Sequence, residues 1–223
     1  MLTYRKEKIM STKAPKTQTA VSTKAPETLT DAECSILLAA VLAHPDGDRY
    51  RNLAARNLLM LLLMLDAGLR GGEVVRLVIS DLAICGEPVK ALRVRAEISK
   101  SKIDRTIPLT TKTTEAIKEC HDCLWTQAGI FHESFAFPSR SSAGHLTTVQ
   151  VERIVKAAAA KSIHRDIHPH MLRHTYATRL MRTTNARIVQ QLLGHKFISS
   201  TQIYMHPGAE DLRKAVDGIE SAD

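Results

Sequence analysis

The stretch that most restricts the fold is an unbroken apolar run over residues 58–65, LLMLLLML. A membrane span needs roughly 18 apolar residues, so this run is too short to cross a bilayer. It reads instead as the centre of a buried helix over residues 52–67, ended by Gly68. A helix that is apolar on every side has to be wrapped by other elements. With 223 residues and 44% hydrophobic content, the chain has enough apolar surface for one sizeable domain plus a tail, or two small domains at most.

Residues 1–29 differ from the rest. They are rich in Lys, Thr, Ser, Ala and Pro, and the phrase STKAP occurs twice, at 11–15 and 22–26. Such a composition buries too little surface to fold alone, so this segment is expected to be a flexible basic tail. Its two readings are a solvated linker and a nonspecific contact to phosphates. Met10 offers an alternative start.

The folded domain is expected over residues 30–223, beginning at a cap, Thr30 or Asp31, before a helix over 32–42. A turn at residues 44–47 leads to the long apolar helix, and residues 70–77 form a further helical segment. Residues 91–95 alternate in polarity, and residues 106–109 make a second extended run. The polar stretch 99–105 joins the two as a hairpin. Helices follow over 114–125, 147–161, 169–181, 187–193, 200–204 and 210–219, with a loop at 135–144. The expected class is mainly α with one small antiparallel β-sheet, α+β.

The formal net charge of +8 and pI near 9.5 point to a polyanionic partner, a signal that many basic proteins share. The basic N-terminus lacks the apolar segment of a secretory leader. Four cysteines do not make a disulfide framework in a chain of this length. Cys120 and Cys123 form a C-x-x-C, but no second pair follows at zinc-ribbon spacing and the segment reads as helix. A reducing cytoplasm accounts for free thiols more simply than a metal does.

The chemistry is concentrated towards the C-terminus. In HPHMLRHTYAT, residues 168–178, Pro169 suits a first helical position, which sets His170 and Arg173 three apart on one face. An imidazole and a guanidinium fork near a helix start can grip one phosphate; two exposed polar residues are the alternative reading. Beyond it, Gly194 in LLGH closes a helix and sets His195 in a loop, and Tyr204 follows within TQIYMHP. Taken singly, Tyr204 is an ordinary half-buried aromatic and His195 an ordinary structural histidine.

Together these segments resemble a known family. Arg70 in AGLRGGE, Lys100 in ISKSKIDRTIPL, then HPHMLRH, LLGH and QIY stand in the order of the catalytic signature of tyrosine recombinases, the phage integrase family, and are most similar to bacterial Xer-type enzymes. The resemblance runs from about residue 58 to the C-terminus. It implies the tyrosine recombinase catalytic-domain fold of DNA breaking-rejoining enzymes. It also implies roles. Arg70 and Arg173 clamp the scissile phosphate and stabilise the phosphorane. Tyr204 attacks phosphorus and forms a 3′-phosphotyrosyl bond. Lys100 protonates the departing 5′ oxygen, His170 assists proton transfer from Tyr204, and His195 hydrogen-bonds the phosphate. No metal or other cofactor is called for, since two guanidiniums and an ammonium supply the charge.

Some positions depart from the family pattern or stay open. Lys102 competes with Lys100, because Ser99 and Ser101 stand where the family has glycines, which stiffens the turn. His174 reads as a packing or supporting group, and His168 and His206 as incidental, with contact to phosphate as their alternative reading. The stretch before residue 52 leaves no room for the family's helical core-binding domain, which closes a clamp on DNA. The turn before residue 187 is one residue shorter than in Xer-type chains. The expected partner is double-stranded DNA, engaged by a homo-oligomer, a tetramer on synapsed sites, or jointly with a partner recombinase. The last helix, 210–219, carries a narrow apolar stripe of Leu212, Ala215 and Val216. In the family such a helix docks on a neighbouring protomer; packing on its own domain is the alternative. A type IB topoisomerase and a noncatalytic DNA-binding accessory protein are the competing functions.

Overall fold

Helical structure starts where the sequence supplies a cap. Glu33 N–H donates to Thr30 Oγ1 at 3.2 Å and Thr30 N–H to Glu33 Oε2 at 2.8 Å, a reciprocal capping box that opens α1 (Asp31–Leu42). The computed structural model describes residues 26–43, 47–126, 133–139, 144–204 and 213. The turn at 44–47, the helix expected over 210–219 and most of the expected tail therefore lie wholly or largely outside the described residues. Ordered contacts already begin at Leu29, which is buried and donates its N–H to Thr175 Oγ1 at 2.9 Å.

The apolar run forms the C-terminal part of α2 (Asp48–Leu65), and residues 59–65 of it are all buried. This helix starts four residues earlier and stops two earlier than its pattern predicts. The chain then turns through Gly68 at φ +62, where a β-carbon would lie 2.3 Å from the Tyr176 ring. Only glycine meets both demands. Two short helices follow, α3 (Gly71–Val74) and α4 (Ile79–Leu82).

Two small antiparallel sheets come next, where the sequence predicts one. The unexpected one is a minimal hairpin of β1 (Ala83–Ile84) and β2 (Glu87–Pro88), turned through Cys85 and Gly86, both at positive φ. The expected one joins β3 (Ala91–Val94) to β4 (Arg105–Pro108), with Leu92 opposite Ile107 and Val94 opposite Arg105. These four side chains face inward and their neighbours face solvent, the alternation read from the sequence.

The remaining helices are α5 (Thr111–Cys120), continued by a π-helical turn over His121–Trp125, then α6 (Thr148–Ser162), α7 (Pro169–Thr183), α8 (Ala186–Leu193) and α9 (Ser199–Gln202). Helices α1, α5, α7 and the π-turn all contact α2, as its all-round apolarity requires. Trp125 is buried and donates its indole N–H to the Ala136 carbonyl at 2.9 Å. Cys120 and Cys123 are buried free thiols, and burial pushes both thiols up, away from the thiolate a metal would take. Among the described residues no group of three or more His, Cys, Asp or Glu could hold a metal ion, and no helix is long and apolar enough to cross a membrane.

Candidate active site

Glu73 sits at the centre of the site, a carboxylate only 1% exposed. It lies in the first turn of α3, whose N-cap is Arg70. Its Oε2 accepts the Arg70 backbone N–H at 2.9 Å, and its Oε1 accepts from Arg70 Nη1 at 3.1 Å. Across from it, Arg105 of β4 donates to both oxygens, at 3.0 and 2.7 Å. Arg173 Nη1 stands 3.9 Å away. Burial raises the Glu73 carboxyl, but the hydrogen bonds and charge of Arg105, with smaller help from Arg70 and Arg173, outweigh it and hold it below the usual range. One anion thus fixes guanidiniums contributed by three separate segments.

Arg173 is itself 4% exposed and tied to the backbone. Nη1 donates to the Gly68 carbonyl, Nη2 to the Leu193 carbonyl at 2.7 Å. Nη2 also lies 3.3 Å from His195 Nε2. Burial and the nearby Arg70 charge lower its pKa to about 9, which leaves it protonated at neutral pH. Because a guanidinium can only donate, His195 Nε2 must be the acceptor here. Its Nδ1–H then donates to Thr201 Oγ1 at 2.9 Å, which fixes the tautomer. Burial, followed by the charges of Arg173 and Arg70, pushes His195 down to about 4, so it is neutral.

The turn that presents His195 depends on Gly194, which caps α8 in the left-handed region at φ +65. The chain then re-enters the domain through α9, and Thr201 is fully buried. Tyr204 ends this path at 7% exposure, its ring in a small apolar cluster with Tyr176, Ala177, Val189 and Leu193. The Tyr204 hydroxyl lies 2.7 Å from His174 Nδ1. Burial raises the Tyr204 pKa, although Arg173 and Arg70 pull the other way.

Beside this buried half lies an open cavity of about 670 Å³. Arg70, Lys100, Lys102, His168 and His170 line it, together with the first residues of α6 and α7. Two helix N-termini and several basic side chains give it the electrostatics of an anion site. Lys100 and Lys102 are both exposed on the β3–β4 turn, Lys102 at φ +56. The serines in that turn bond to one another, Oγ to Oγ at 2.9 Å, and Ser99 is buried. His170 and His174 lie on one face of α7 with ring centroids 6.3 Å apart, so the row His168, His170, His174 leads from the cavity to Tyr204.

The six residues singled out from the sequence therefore fall into two adjoining groups. Arg70, Lys100 and His170 line the cavity, while Arg173 and Tyr204 are buried and His195 is half-buried beside Arg173. The sequence model of the phage integrase family matches residues 27–211. The chain belongs to the phage integrase family. Proteins similar to this integrase-family chain include the tyrosine recombinase of Pseudothermotoga lettingae, 36% identical over 152 residues, which are 68% of this chain and 49% of that protein. Tyrosine recombinase XerD of Brucella suis is 35% identical over 182 residues, 80% of this chain and 56% of that protein. The chain thus spans about half the length of these curated relatives. Among solved structures, XerA recombinase superposes with a TM-score of 0.65 at 24% identity, covering 87% of this chain and 66% of that one. XerH site-specific recombinase, bound to its difH substrate before cleavage, gives 0.65 at 21% identity over 86% of this chain and 52% of that one. At these identities the likeness is one of fold. The integrase-family chain has the mainly helical fold of tyrosine recombinases.

Two residues of the site, Glu73 and Arg105, are not drawn out by the sequence, and a third, His174, has a closer role than its sequence suggests. The first two are 32 positions apart and meet only once the hairpin folds over α3. A glutamate three residues after Arg70 was the available signal for a reciprocal cap. His174 reads as a supporting group from its sequence, yet it is the side chain that meets the Tyr204 hydroxyl. His206 lies outside the described residues.

Proposed function

We propose that this chain is the catalytic domain of a site-specific DNA recombinase or integrase, cutting and rejoining strands through a 3′-phosphotyrosyl intermediate at Tyr204. The observation that carries this reading is the convergence of three sequence-distant motifs on one buried carboxylate and one cavity, with His195 and Tyr204 of the other two joined to them through Arg173 and His174. Arg70 and Arg173 face the scissile phosphate and stabilise the charge of the phosphorane. Tyr204 attacks phosphorus. Lys100 protonates the leaving 5′ oxygen, with Lys102 on the same turn as its competitor. His170, at the cavity wall, faces the phosphate, and neutral His195 orients Arg173 while its Nε2 edge borders the same anion.

The relatives support this reading through their names, tyrosine recombinases. A fold neighbour, XerH, was captured with its difH substrate before and after cleavage. Double-stranded DNA is the partner in this proposal, bound by a homo-oligomer on synapsed sites or jointly with a second recombinase, in the cytoplasm.

The test is covalent capture. A library of nicked suicide duplexes with randomised flanks is incubated with the protein, and adducts are isolated on a denaturing gel. An adduct that disappears in Tyr204→Phe is the expected result. No adduct, or one that persists in Tyr204→Phe, overturns the reading. Relaxation of supercoiled plasmid by a monomer in the same preparation would favour topoisomerase activity instead.

A further inference from the structure

The hydroxyl that must lose a proton to attack phosphorus is already hydrogen-bonded, and its partner is not the histidine that the family resemblance assigns. His170 lines the cavity, one helical turn away from His174. The Tyr204 hydroxyl instead lies 2.7 Å from His174 Nδ1, with the two rings tilted at 49° and 5.6 Å apart. We propose that His174 is a catalytic residue, the base that holds the Tyr204 hydroxyl and takes its proton during attack. This rests on the reading of Tyr204 as the nucleophile.

The charges around His174 fit that task. His170 and Arg173 face it from its own helix, His168 from the cap of that helix, and the Tyr204 hydroxyl from beyond α9. Among the described residues the groups acting on it include no carboxylate. Burial, and after it the neighbouring His170 and Arg173, push its pKa down to about 4, so in the free protein it is neutral, and in its Nε2–H tautomer Nδ1 accepts the Tyr204 hydrogen bond. A proton placed on His174 alone would be repelled by Arg173. Bound phosphate reverses this balance, because the phosphorane carries negative charge into the same cluster. The base is thus weak while the site is empty and strengthens when DNA occupies it, which spares the enzyme an idle tyrosinate.

The step balances without any added reagent. The Tyr204 oxygen bonds to phosphorus, its proton passes to His174 Nδ1, the bond from phosphorus to the 5′ oxygen breaks, and that oxygen takes a proton from Lys100. Religation runs the same transfers backwards, returning the proton from His174 to the tyrosine.

The experiment uses the full chain and a nicked duplex obtained by the covalent capture described above. Cleavage rates are compared for the wild type, His174→Ala, His174→Asn and Lys100→Ala, each checked for folding by thermal melt and for DNA binding. The Asn amide oxygen can accept the tyrosine hydrogen bond but not its proton, so it keeps the hold and removes the base. Both His174 variants are expected to cleave roughly 10²–10³-fold more slowly. A second duplex carries sulfur in place of the bridging 5′ oxygen, a leaving group that needs no protonation. It restores Lys100→Ala and leaves His174→Asn slow. His174→Asn within about threefold of wild type overturns the proposal, as does its restoration by the sulfur duplex. An adduct formed by wild type with unimpaired His174 variants removes this inference and leaves Tyr204 as nucleophile. Absence of any wild-type adduct removes both.

Discussion

At the scale of single residues, Glu73 bears the heaviest electrostatic burden. It accepts from two arginines and a backbone amide and lies near a third guanidinium. Arg105 is only 2% exposed on its side chain, and among the described residues its Nε has no hydrogen-bond partner and Glu73 is the carboxylate that pairs with it. Removing one member of a buried pair strands the other, which typically costs about 3–5 kcal/mol. Glu73→Ala is expected to lower stability by that order in urea unfolding. Glu73→Gln, which keeps an acceptor oxygen for one arginine, should lose less. Equal stability of Glu73→Ala and wild type would show that Arg105 finds another partner or water. The pair also marks the limit of what the chain shows as a string. Arg70, Arg173, His195 and Tyr204 could be picked out because each sits in a short motif with its own spacing. Glu73–Arg105 and His174–Tyr204 could not, because each pair joins residues of separate elements and exists only through the path between them.

The elements repeat this division. Those with a chemical boundary signal were legible: the start of α1 from Thr30, the start of α7 from Pro169 and the end of α8 from Gly194. The start of α2 was not, because its N-cap is Gly47 with no side-chain hydrogen bond to announce it. The β1–β2 hairpin has two-residue strands, too short for any alternation, and turns at Cys85, a residue that does not advertise positive φ. Gly194 shows how a legible cap also carries function. It ends α8 at φ +65, and a β-carbon there would lie 2.9 Å from Arg105 Cδ. The same glycine therefore sets the direction of His195 and leaves room for the arginine that neutralises Glu73. Gly194→Ala incurs a left-handed penalty of about 1–2 kcal/mol before any clash is counted. The added contact falls on a buried arginine with little freedom to yield. Denaturation should show a loss at least this large, together with weaker adduct formation, since His195 and the path to Tyr204 shift with the cap. An alanine variant of unchanged stability and activity would mean that α8 ends without the left-handed turn.

At the scale of the whole molecule, the question is how a chain spanning about half the length of its curated relatives would hold DNA. The net charge of +8 is an average over surfaces that differ greatly. Around the cavity, Arg76 is committed to the carbonyls of Gly72 and Ile98, at 2.8 and 2.6 Å, and Lys156 pairs with Glu152 at 3.1 Å. Lys100 and Lys102 make no ion pair among the described residues and project from the hairpin turn into the cavity. They are the cations best placed to displace counterions from a DNA backbone. Each phosphate neutralised contributes about −0.9 to the slope of log affinity against log salt. A handful of such contacts predicts that affinity for an arbitrary duplex falls on the order of a hundredfold between 50 and 200 mM salt. Lys100→Ala and Lys102→Ala should each make that slope shallower by about one and weaken binding alike across sequences. The sulfur-bridged duplex then separates the two lysines, because it repairs only the variant that lacks the proton donor. A slope that neither substitution changes would place the phosphate path elsewhere on the molecule, and the cavity beside Arg70 would lose its claim to the scissile phosphate.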